Sequence, residues 1–146
     1  MFTGEFESAL DNKNRLTIPS RLREAAVEKT EGRGFWLNQG FESCLFLHTP
    51  RAWGELRQRM NMNALTFVKK KARSFQRMFF SGACAVECDR LGRILIPDYL
   101  RRGVGLRGPV VLIGVDTRIE IWSRERWLSF KTKGMRSFEK DAEDLF

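Results

Sequence analysis

Two short segments of this sequence place an acid and an arginine at the same spacing, a pattern suited to binding phosphates or base edges. The first segment is Asp11–Pro19 (DNKNRLTIP) and the second is Asp89–Pro97 (DRLGRILIP). In both, the arginine follows the aspartate after three intervening residues, and an Ile-Pro pair ends the segment. A guanidinium group recognises phosphates and guanine edges through a planar pair of donors. Arg15 and Arg93 are therefore candidate contacts to a nucleic acid.

An ion pair inside each segment is the alternative role for these arginines. Asp11 can pair with Arg15, and Asp89 with Arg93, and each aspartate can also accept hydrogen bonds from N–H groups of its turn. This role does not exclude function, because a rigid loop that presents a guanidinium group is well suited to reading phosphates and guanines.

Each segment predicts a β-hairpin that leads into a helix. The residue before the arginine is Asn14 in one copy and Gly92 in the other. These residue types tolerate positive φ best, so we expect a left-handed residue in both turns. The alternating apolar residues that follow favour a strand. Pro19 and Pro97 suit the first position of a helix, where a missing N–H has no cost.

The two segments belong to a longer internal repeat. Phe80 lies 78 residues after Phe2, the same offset as between the two motifs. A second match aligns Gly34–Trp53 without gaps on Gly108–Trp127. Such self-matches indicate a duplicated unit. Because a unit of about 50 residues buries too little surface to be stable alone, we expect both copies to share one core.

The repeat divides the chain into four parts. The predicted parts are a first half over residues 1–53, a basic helical connection over 54–78, a second half over 79–127, and a C-terminal helix and tail over 128–146. Apolar residues at helical spacing predict one helix from Ala64 to Phe79. The polar and acidic end of the tail is expected to fray.

The net charge is +8, and most of the excess lies in the connection. The stretch from Pro50 to Met78 contains eight basic residues and one acidic residue. A basic protein of this kind suggests a nucleic-acid partner, or less strongly an acidic membrane surface. For this segment a solvated helix face explains the charge slightly better than a binding site does, because charge alone does not locate a site.

Composition favours a cytoplasmic protein without a metal or cofactor. No apolar run reaches membrane-spanning length, and no secretory apolar segment follows a basic start. Cys44, Cys84 and Cys88 are odd in number, which suits reduced thiols. A zinc site would need these three and His48 together, so small buried cysteines on strands are the better interpretation.

The repeated D-x-x-x-R motif followed by Ile-Pro resembles the MraZ family of bacterial transcriptional regulators. The likeness also includes the opening Met1–Gly4 (MFTG) and the stretch Ile119–Trp122 (IEIW), and it covers nearly the whole chain. It implies that each half is a SpoVT/AbrB-type domain. The implied fold class is α+β, mainly β, with a duplicated swapped-hairpin β-barrel flanked by helices in a pseudo-two-fold arrangement.

The resemblance also implies a function. Members of the family bind short direct repeats in the promoter of the division and cell-wall gene cluster that begins with their own gene. They form ring-shaped homo-oligomers, so an octamer-like ring associated with the nucleoid is expected here. Their D-x-x-x-R loops face double-stranded DNA. The family usually has glycine where this chain has Asn14, and asparagine can keep the turn.

Carried onto this sequence, the resemblance implies DNA contacts from Arg15 and Arg93, with loops shaped by Asp11, Asp89 and Gly92. The further DNA-binding candidates, in the two loops and the helix that follows the first, are Lys13, Asn14, Arg90, Arg21 and Arg23. Of these, Lys13 and Arg90 resemble phosphate contacts. We expect Arg15 to contribute more to DNA binding than Arg93, because Lys13 and Arg21 add positive charge beside it.

Two other functions fit parts of this sequence less well. An AbrB-type antitoxin or global transition-state regulator usually carries one motif copy and, as an antitoxin, a long acidic tail, whereas this chain has two copies and a short acidic end. A basic nuclease would need a carboxylate cluster at a metal or a histidine base. His48 lies in an apolar strand, and Asp11 and Asp89 lie beside arginines, so the chain is not expected to be an enzyme.

Overall fold

A computed structural model describes residues 1–27, 34–62 and 68–146, and its elements follow the repeat. In chain order they are β1 (Glu5–Ala9), β2 (Arg15–Thr17), α1 (Ser20–Val27), β3 (Gly34–Gln39), β4 (Leu45–His48), α2 (Pro50–Met62), α3 (Lys70–Ser81), β5 (Cys84–Glu87), β6 (Arg93–Leu95), α4 (Asp98–Gly103), β7 (Pro109–Val115), β8 (Arg118–Ser123) and α5 (Arg124–Leu145). None of the described helices is long and apolar enough to cross a membrane.

The main sheet shows the duplication directly. It has six antiparallel strands in the order β1-β7-β8-β4-β3-β5. When each strand is replaced by its repeat partner, the same order is read from the opposite edge, so a pseudo-two-fold axis passes between β4 and β8. β1 of the first half pairs with β7 of the second, and β5 pairs with β3. The predicted α+β, mainly β, duplicated fold is confirmed, and the two halves exchange their outer strands.

A second, two-stranded sheet joins the halves on one side of the main sheet. β2 pairs with β6, placing Leu16 opposite Ile94. The N–H of Ile18 donates to the carbonyl of Gly92 at 2.8 Å, and the N–H of Ile96 donates to the carbonyl of Asn14 at 2.9 Å. We call this pair of strands the ribbon. Its inward side chains are fully buried in the same apolar core as one face of the main sheet.

The predicted hairpin within each half is wrong beyond its turn. In the first half, backbone pairing of the two strands is limited to an isolated bridge between Leu10 and Leu16, beside which Oγ of Ser8 donates to the carbonyl of Thr17 at 3.1 Å. From there β1 enters the main sheet while β2 enters the ribbon. The reason is that β1 gains a longer partner in the other half, since it lies along β7 over its full length, whereas β2 pairs with β6, a strand of the same three-residue length.

The opposite face of the main sheet is covered by helices and aromatic side chains. Trp53 of α2 stacks on Trp36 at 5.5 Å and on Phe79 of α3 at 5.8 Å between ring centroids. Trp122 of β8 contacts Trp127 and Phe130 of α5 at 5.4 Å and 5.1 Å. Because side chains alternate along each strand, the main sheet contributes side chains to a separate apolar core on each of its two faces.

Three helix boundaries differ from the predictions. Lys69 is extended (φ −84°, ψ 129°), so α3 begins at Lys70 rather than continuing a helix from Ala64. The predicted residues 64–67 lie outside the described residues. Pro97 is extended in ψ (143°) and precedes α4 as its cap. Pro19 likewise lies just before α1, which begins at Ser20. The residue before it, Ile18, still bonds to the ribbon through its N–H group.

The acidic tail does not fray, contrary to the prediction. α5 runs without interruption to Leu145, and the N–H of Phe146 still donates to the carbonyl of Ala142 at 3.0 Å. The side chains of Ser137 and Asp141, one turn apart, share a hydrogen bond of 2.9 Å. Apolar residues at helical spacing continue along the whole of α5, a pattern that charge alone does not interrupt.

His48 is a buried polar residue of the helix-covered core. Its Nε2 lies 3.1 Å from Oδ1 of Asn38, and Nδ2 of Asn38 donates to the carbonyl of Phe79 at 3.4 Å. Burial lowers the pKa of His48 to about 4, and the nearby Arg118 adds to the effect. The imidazole is therefore neutral at neutral pH and packs between Phe46 and Trp53.

We expect His48 to make stability depend on pH in a defined window. In the unfolded chain it binds a proton near its ordinary pKa of 6.5, whereas the folded form binds one only near 4. The contribution of His48 to the free energy of unfolding should therefore be complete above pH 6.5. About 3 kcal/mol of it should be lost as the pH falls from 6.5 to about 4. Urea unfolding at a series of pH values measures this slope. The matched control, His48→Gln, should lose the slope, and an equal slope in both proteins would contradict the assignment.

Candidate nucleic-acid interface

Asp11 closes the first loop and fixes its arginine. Its Oδ1 accepts the backbone N–H groups of Lys13 at 2.9 Å and Arg15 at 2.8 Å. Its Oδ2 accepts Nε–H of Arg15 at 2.8 Å. Asn14 has a φ of 60°, the left-handed conformation expected for this turn. The predicted ion pair and turn bonds are both confirmed.

Asp89 repeats this arrangement in the second loop. Its Oδ1 accepts the N–H groups of Leu91 at 3.0 Å and Arg93 at 2.9 Å, and its Oδ2 accepts Nε–H of Arg93 at 2.8 Å. Gly92 has a φ of 77°, in the place of Asn14. Each half therefore presents one arginine held by one carboxylate.

The two loops form a single surface. On the ribbon, Arg15 lies opposite Leu95, and Thr17 lies opposite Arg93. Because Leu16 and Ile94 between them face the core, these four side chains share the outer side. We call this outer side, made of Arg15, Thr17, Arg93 and Leu95, the ribbon face. Nη1 of Arg93 lies 3.9 Å from the same Oδ2 of Asp11 that pairs with Arg15, so arginines of both halves meet at one carboxylate.

The carboxylates stay ionised at any physiological pH. The backbone N–H of Arg15 is the largest cause that lowers the pKa of Asp11 to about 2, and the Arg15 side chain adds to it. The pKa of Asp89 is lowered in the same way, first by the backbone N–H of Arg93. Each arginine thus has a permanent anionic partner that fixes its orientation.

The arginines keep donors for a ligand. The side chains of Arg15 and Arg93 are 33% and 25% exposed, and each uses Nε for its own aspartate. Among the described residues, the structure records no partner for the Nη atoms of Arg15. A guanidinium oriented through Nε and open at Nη can still donate to an acceptor in front of the ribbon.

The remaining predicted contacts divide into exposed and supporting groups. Lys13 and Arg90 are exposed in the two loops, and Arg21 is exposed on α1. Arg23 is only half exposed, and its Nε donates to the carbonyl of Ile18 at 2.9 Å. Nδ2 of Asn14 lies 3.4 Å from Oδ1 of Asp98 at the start of α4. The structure thus brings Lys13 and Arg90 to solvent and turns Arg23 toward the ribbon.

The difference between Asn14 and Gly92 has a structural cause. A Cβ atom on Gly92 would lie 2.6 Å from Cζ of Arg23, so a larger residue there would displace that guanidinium. At the matching place in the first loop, Arg101 pairs with Asp98 at 2.8 Å, and Asn14 reaches the same carboxylate. The two loops therefore have the same backbone but different support.

Sequence reasoning missed two residues of this surface. Thr17 and Leu95 are exposed on the ribbon face beside the arginines. They lie two residues after Arg15 and Arg93, and strand alternation places such residues on the same side. This spacing was the available signal. Leu91, also exposed, lies in the second loop in the place that Lys13 occupies in the first.

Comparison with known proteins agrees with the duplicated motif. The family model described as "MraZ protein, putative antitoxin-like" matches residues 1–78 and again residues 79–146. The chain is 44% identical over 145 residues to the "Transcriptional regulator MraZ" of Heliobacterium modesticaldum, covering 99% of this chain and 96% of that protein. It is 41% identical over 145 residues to the protein of the same name from Desulforamulus reducens, covering 99% and 97%.

The loop geometry predicts an unusual titration of Asp11. The midpoint should lie near 2, well below the ordinary 3.8, because N–H groups and Arg15 stabilise the charged form. In an Arg15→Gln variant the midpoint should rise, but it should stay below 3.8, since the backbone N–H of residue 15 remains the largest cause. Carboxyl ¹³C shifts followed against pH measure this. Asp89 serves as the control that should not move, and a midpoint of 3.8 for Asp11 in the unmodified protein would contradict the geometry.

Proposed function

We propose that this chain, which belongs to the MraZ family, is a sequence-specific DNA-binding transcriptional regulator. Its proposed targets are short direct repeats in the promoter of the division and cell-wall gene cluster that includes its own gene. The observation that carries the proposal is the convergence of Arg15 and Arg93 on one exposed antiparallel ribbon. The names of the two relatives support the regulatory role.

The ribbon has a shape that DNA accommodates. The major groove is about 12 Å wide and admits a two-stranded β-ribbon, as in other proteins that read DNA with strands. Arginine donates to O6 and N7 of guanine, the commonest specific contact in that groove. Because each aspartate already fixes its arginine, little conformational freedom is lost on binding. We therefore assign base reading to Arg15 and Arg93.

The flanking residues have different proposed roles. Lys13 and Arg90 reach solvent in the loops, and Arg21 does so on α1, where all three suit contacts to phosphates. Asn14 and Arg23 are engaged with Asp98 and Ile18, so we assign them to holding the loops in place. Thr17 lies on the ribbon face and joins the base-reading surface.

A single ribbon face offers few base contacts, so affinity must come from several copies. We infer a homo-oligomer, an octamer-like ring, that works in the cytoplasm on the nucleoid. Once one copy has bound a repeat, the next copy meets the neighbouring repeat at a high effective concentration. This arrangement explains how a weak reader selects a promoter that carries several direct repeats.

A second candidate function is an AbrB-type antitoxin, which the antitoxin-like description of the family model favours. It requires a toxin encoded beside this chain, which the acidic end of α5 would bind. Its test is restored growth when the toxin and this chain are expressed together, with a chain ending at residue 136 as the comparison.

Removing the arginines should abolish sequence preference while the fold stays intact. Loss of a bidentate contact to guanine costs about 1–3 kcal/mol and relaxes discrimination at that base. Arg15→Ala should have a larger effect than Arg93→Ala, because Lys13 and Arg21 lie in the same half. Fluorescence anisotropy on the DNA upstream of its own gene and on scrambled DNA measures the preference.

The matched control is Arg51→Ala, which removes an exposed arginine of α2, on the helix-covered side of the main sheet. It should keep the preference. Circular dichroism and sedimentation show whether fold and assembly survive in each variant. A folded, assembled Arg15→Ala protein that still prefers its promoter would place the site elsewhere.

Affinity should rise steeply with the number of repeats. A promoter fragment that carries a single repeat should bind poorly, and a fragment with several repeats of the same total length should bind much more tightly at equal salt, because the later contacts are intramolecular. Titrations by anisotropy compare the two fragments. Equal affinities would rule out the multivalent mechanism.

A further inference from the structure

The second half of α5 carries an apolar stripe that the described part of the chain leaves uncovered. Near its start, α5 is anchored by Trp127 and Phe130 on Trp122 and by Lys131 on Glu5. From residue 132 onward, the recorded hydrogen bonds lie within the helix. Yet Met135, Phe138 and Leu145 are 61%, 62% and 79% exposed.

The spacing of this stripe is that of a helix packed against a partner. Leu128 and Met135 are seven residues apart, and Phe138 and Leu145 are also seven residues apart. Phe138 follows Met135 by three residues. Alternating steps of three and four residues form the seam of helix–helix contacts. A helix of about 14 residues is marginal in water without tertiary contacts. The stripe therefore requires a partner surface.

A groove on the helix-covered side of the main sheet offers such a surface. It is a cavity of about 240 Å³ between α2, α3 and the turn that joins β3 to β4. We call it the α2–α3 groove; its apolar lining includes Phe41, Phe46, Leu56, Phe75 and Phe79. Phe41 and Phe75 are partly exposed, with ring centroids 6.1 Å apart.

The size of the groove suits a side chain rather than a small molecule. Ligand sites usually enclose about 300–1,000 Å³, more than the 240 Å³ found here. Interfaces between proteins commonly place one aromatic anchor in a pocket of this kind. Arg59 and Glu55 of α2 and Arg118 of β8 also line the groove. Arg118 already pairs with Glu120 at 2.8 Å, so an acidic group of the occupant would meet Arg59.

Charge selects the second half of α5 as the occupant. Ser137–Phe146 holds four acidic residues and one lysine, interleaved with the stripe. Pro50–Met78, which contains α2 and most of α3, holds eight basic residues and one acidic residue. Parallel pairing of α5 with a second α5 would bring like charges together, which costs free energy. Docking of α5 on the α2–α3 groove brings opposite charges together.

We propose that the α2–α3 groove of one copy binds the second half of α5 from another copy, with Phe138 as the anchor. This interface uses two different surfaces, so it joins copies head to tail and closes into a ring when the rotation between copies permits. The proposal specifies the contact behind the homo-oligomer proposed above and does not depend on DNA binding. Its test accordingly contains no DNA.

Two complementary variants test the contact. Phe138→Asp damages α5 and leaves the groove intact, whereas Phe75→Glu damages the groove and leaves α5 intact. Each variant alone should sediment as a monomer of about 17.0 kDa. An equal mixture should form a dimer of twice that mass, because it contains one intact α5 and one intact groove that can meet only once. The unmodified protein should sediment as a larger assembly.

Charge-matched controls separate this contact from general effects of charge. Lys140→Glu changes the side of α5 away from Phe138, and Arg57→Glu changes α2 outside the groove lining; both should assemble like the unmodified protein. Far-UV circular dichroism monitors folding, and Arg59→Glu replaces Phe75→Glu if that variant unfolds. A monomeric unmodified protein, a mixture that stays monomeric, or a groove variant that assembles alone would each overturn the proposal.

Discussion

The pairing of β2 with β6 is the contact on which the rest of the structure depends. Each strand has only three residues, and an isolated two-stranded pair is marginal in water. It persists here because Leu16 and Ile94 are buried together against the main sheet, where apolar burial supplies the stabilisation. One strand comes from each half, so the surface that carries both arginines exists only when the whole duplicated fold has formed.

The aspartates resolve an apparent choice between structure and function. A carboxylate that accepts two backbone N–H groups and one Nε–H fixes the loop, and the same bonds fix the guanidinium in front of it. A side chain already restricted in the free protein loses less entropy when it binds a ligand. The ion pair of Asp11 with Arg15 is therefore compatible with the proposed DNA reading, whose entropic cost it would lower.

The sequence predicted local geometry better than it predicted partners. The turn around Asn14 or Gly92 and the Asp–Arg pairs depend on residues within five positions of one another, so spacing alone specifies them. The choice of β7 as the neighbour of β1 is not encoded in this way. Strand alternation tells which face a side chain takes, but not which strand lies beside it. Alternation thus indicates that Leu95 shares a side with Arg93, but its place opposite Arg15 follows from pairing between the halves.

The main sheet separates the two surfaces on which the proposals rest. Leu47 faces the ribbon core, whereas the next residue, His48, faces the helices, so one strand supports both sides. In the proposed contact, the α5 of a neighbour would occupy the helix-covered side of the main sheet and the ribbon lies on the other side. In a closed ring, each copy would use one groove and one α5. The ring would then carry one ribbon face per copy, and neighbouring ribbon faces would be related by one fixed rotation. In the proposed assembly, the spacing of the proposed direct repeats has to match that rotation, so the choice of promoter would depend on the packing of α5 as well as on the ribbon.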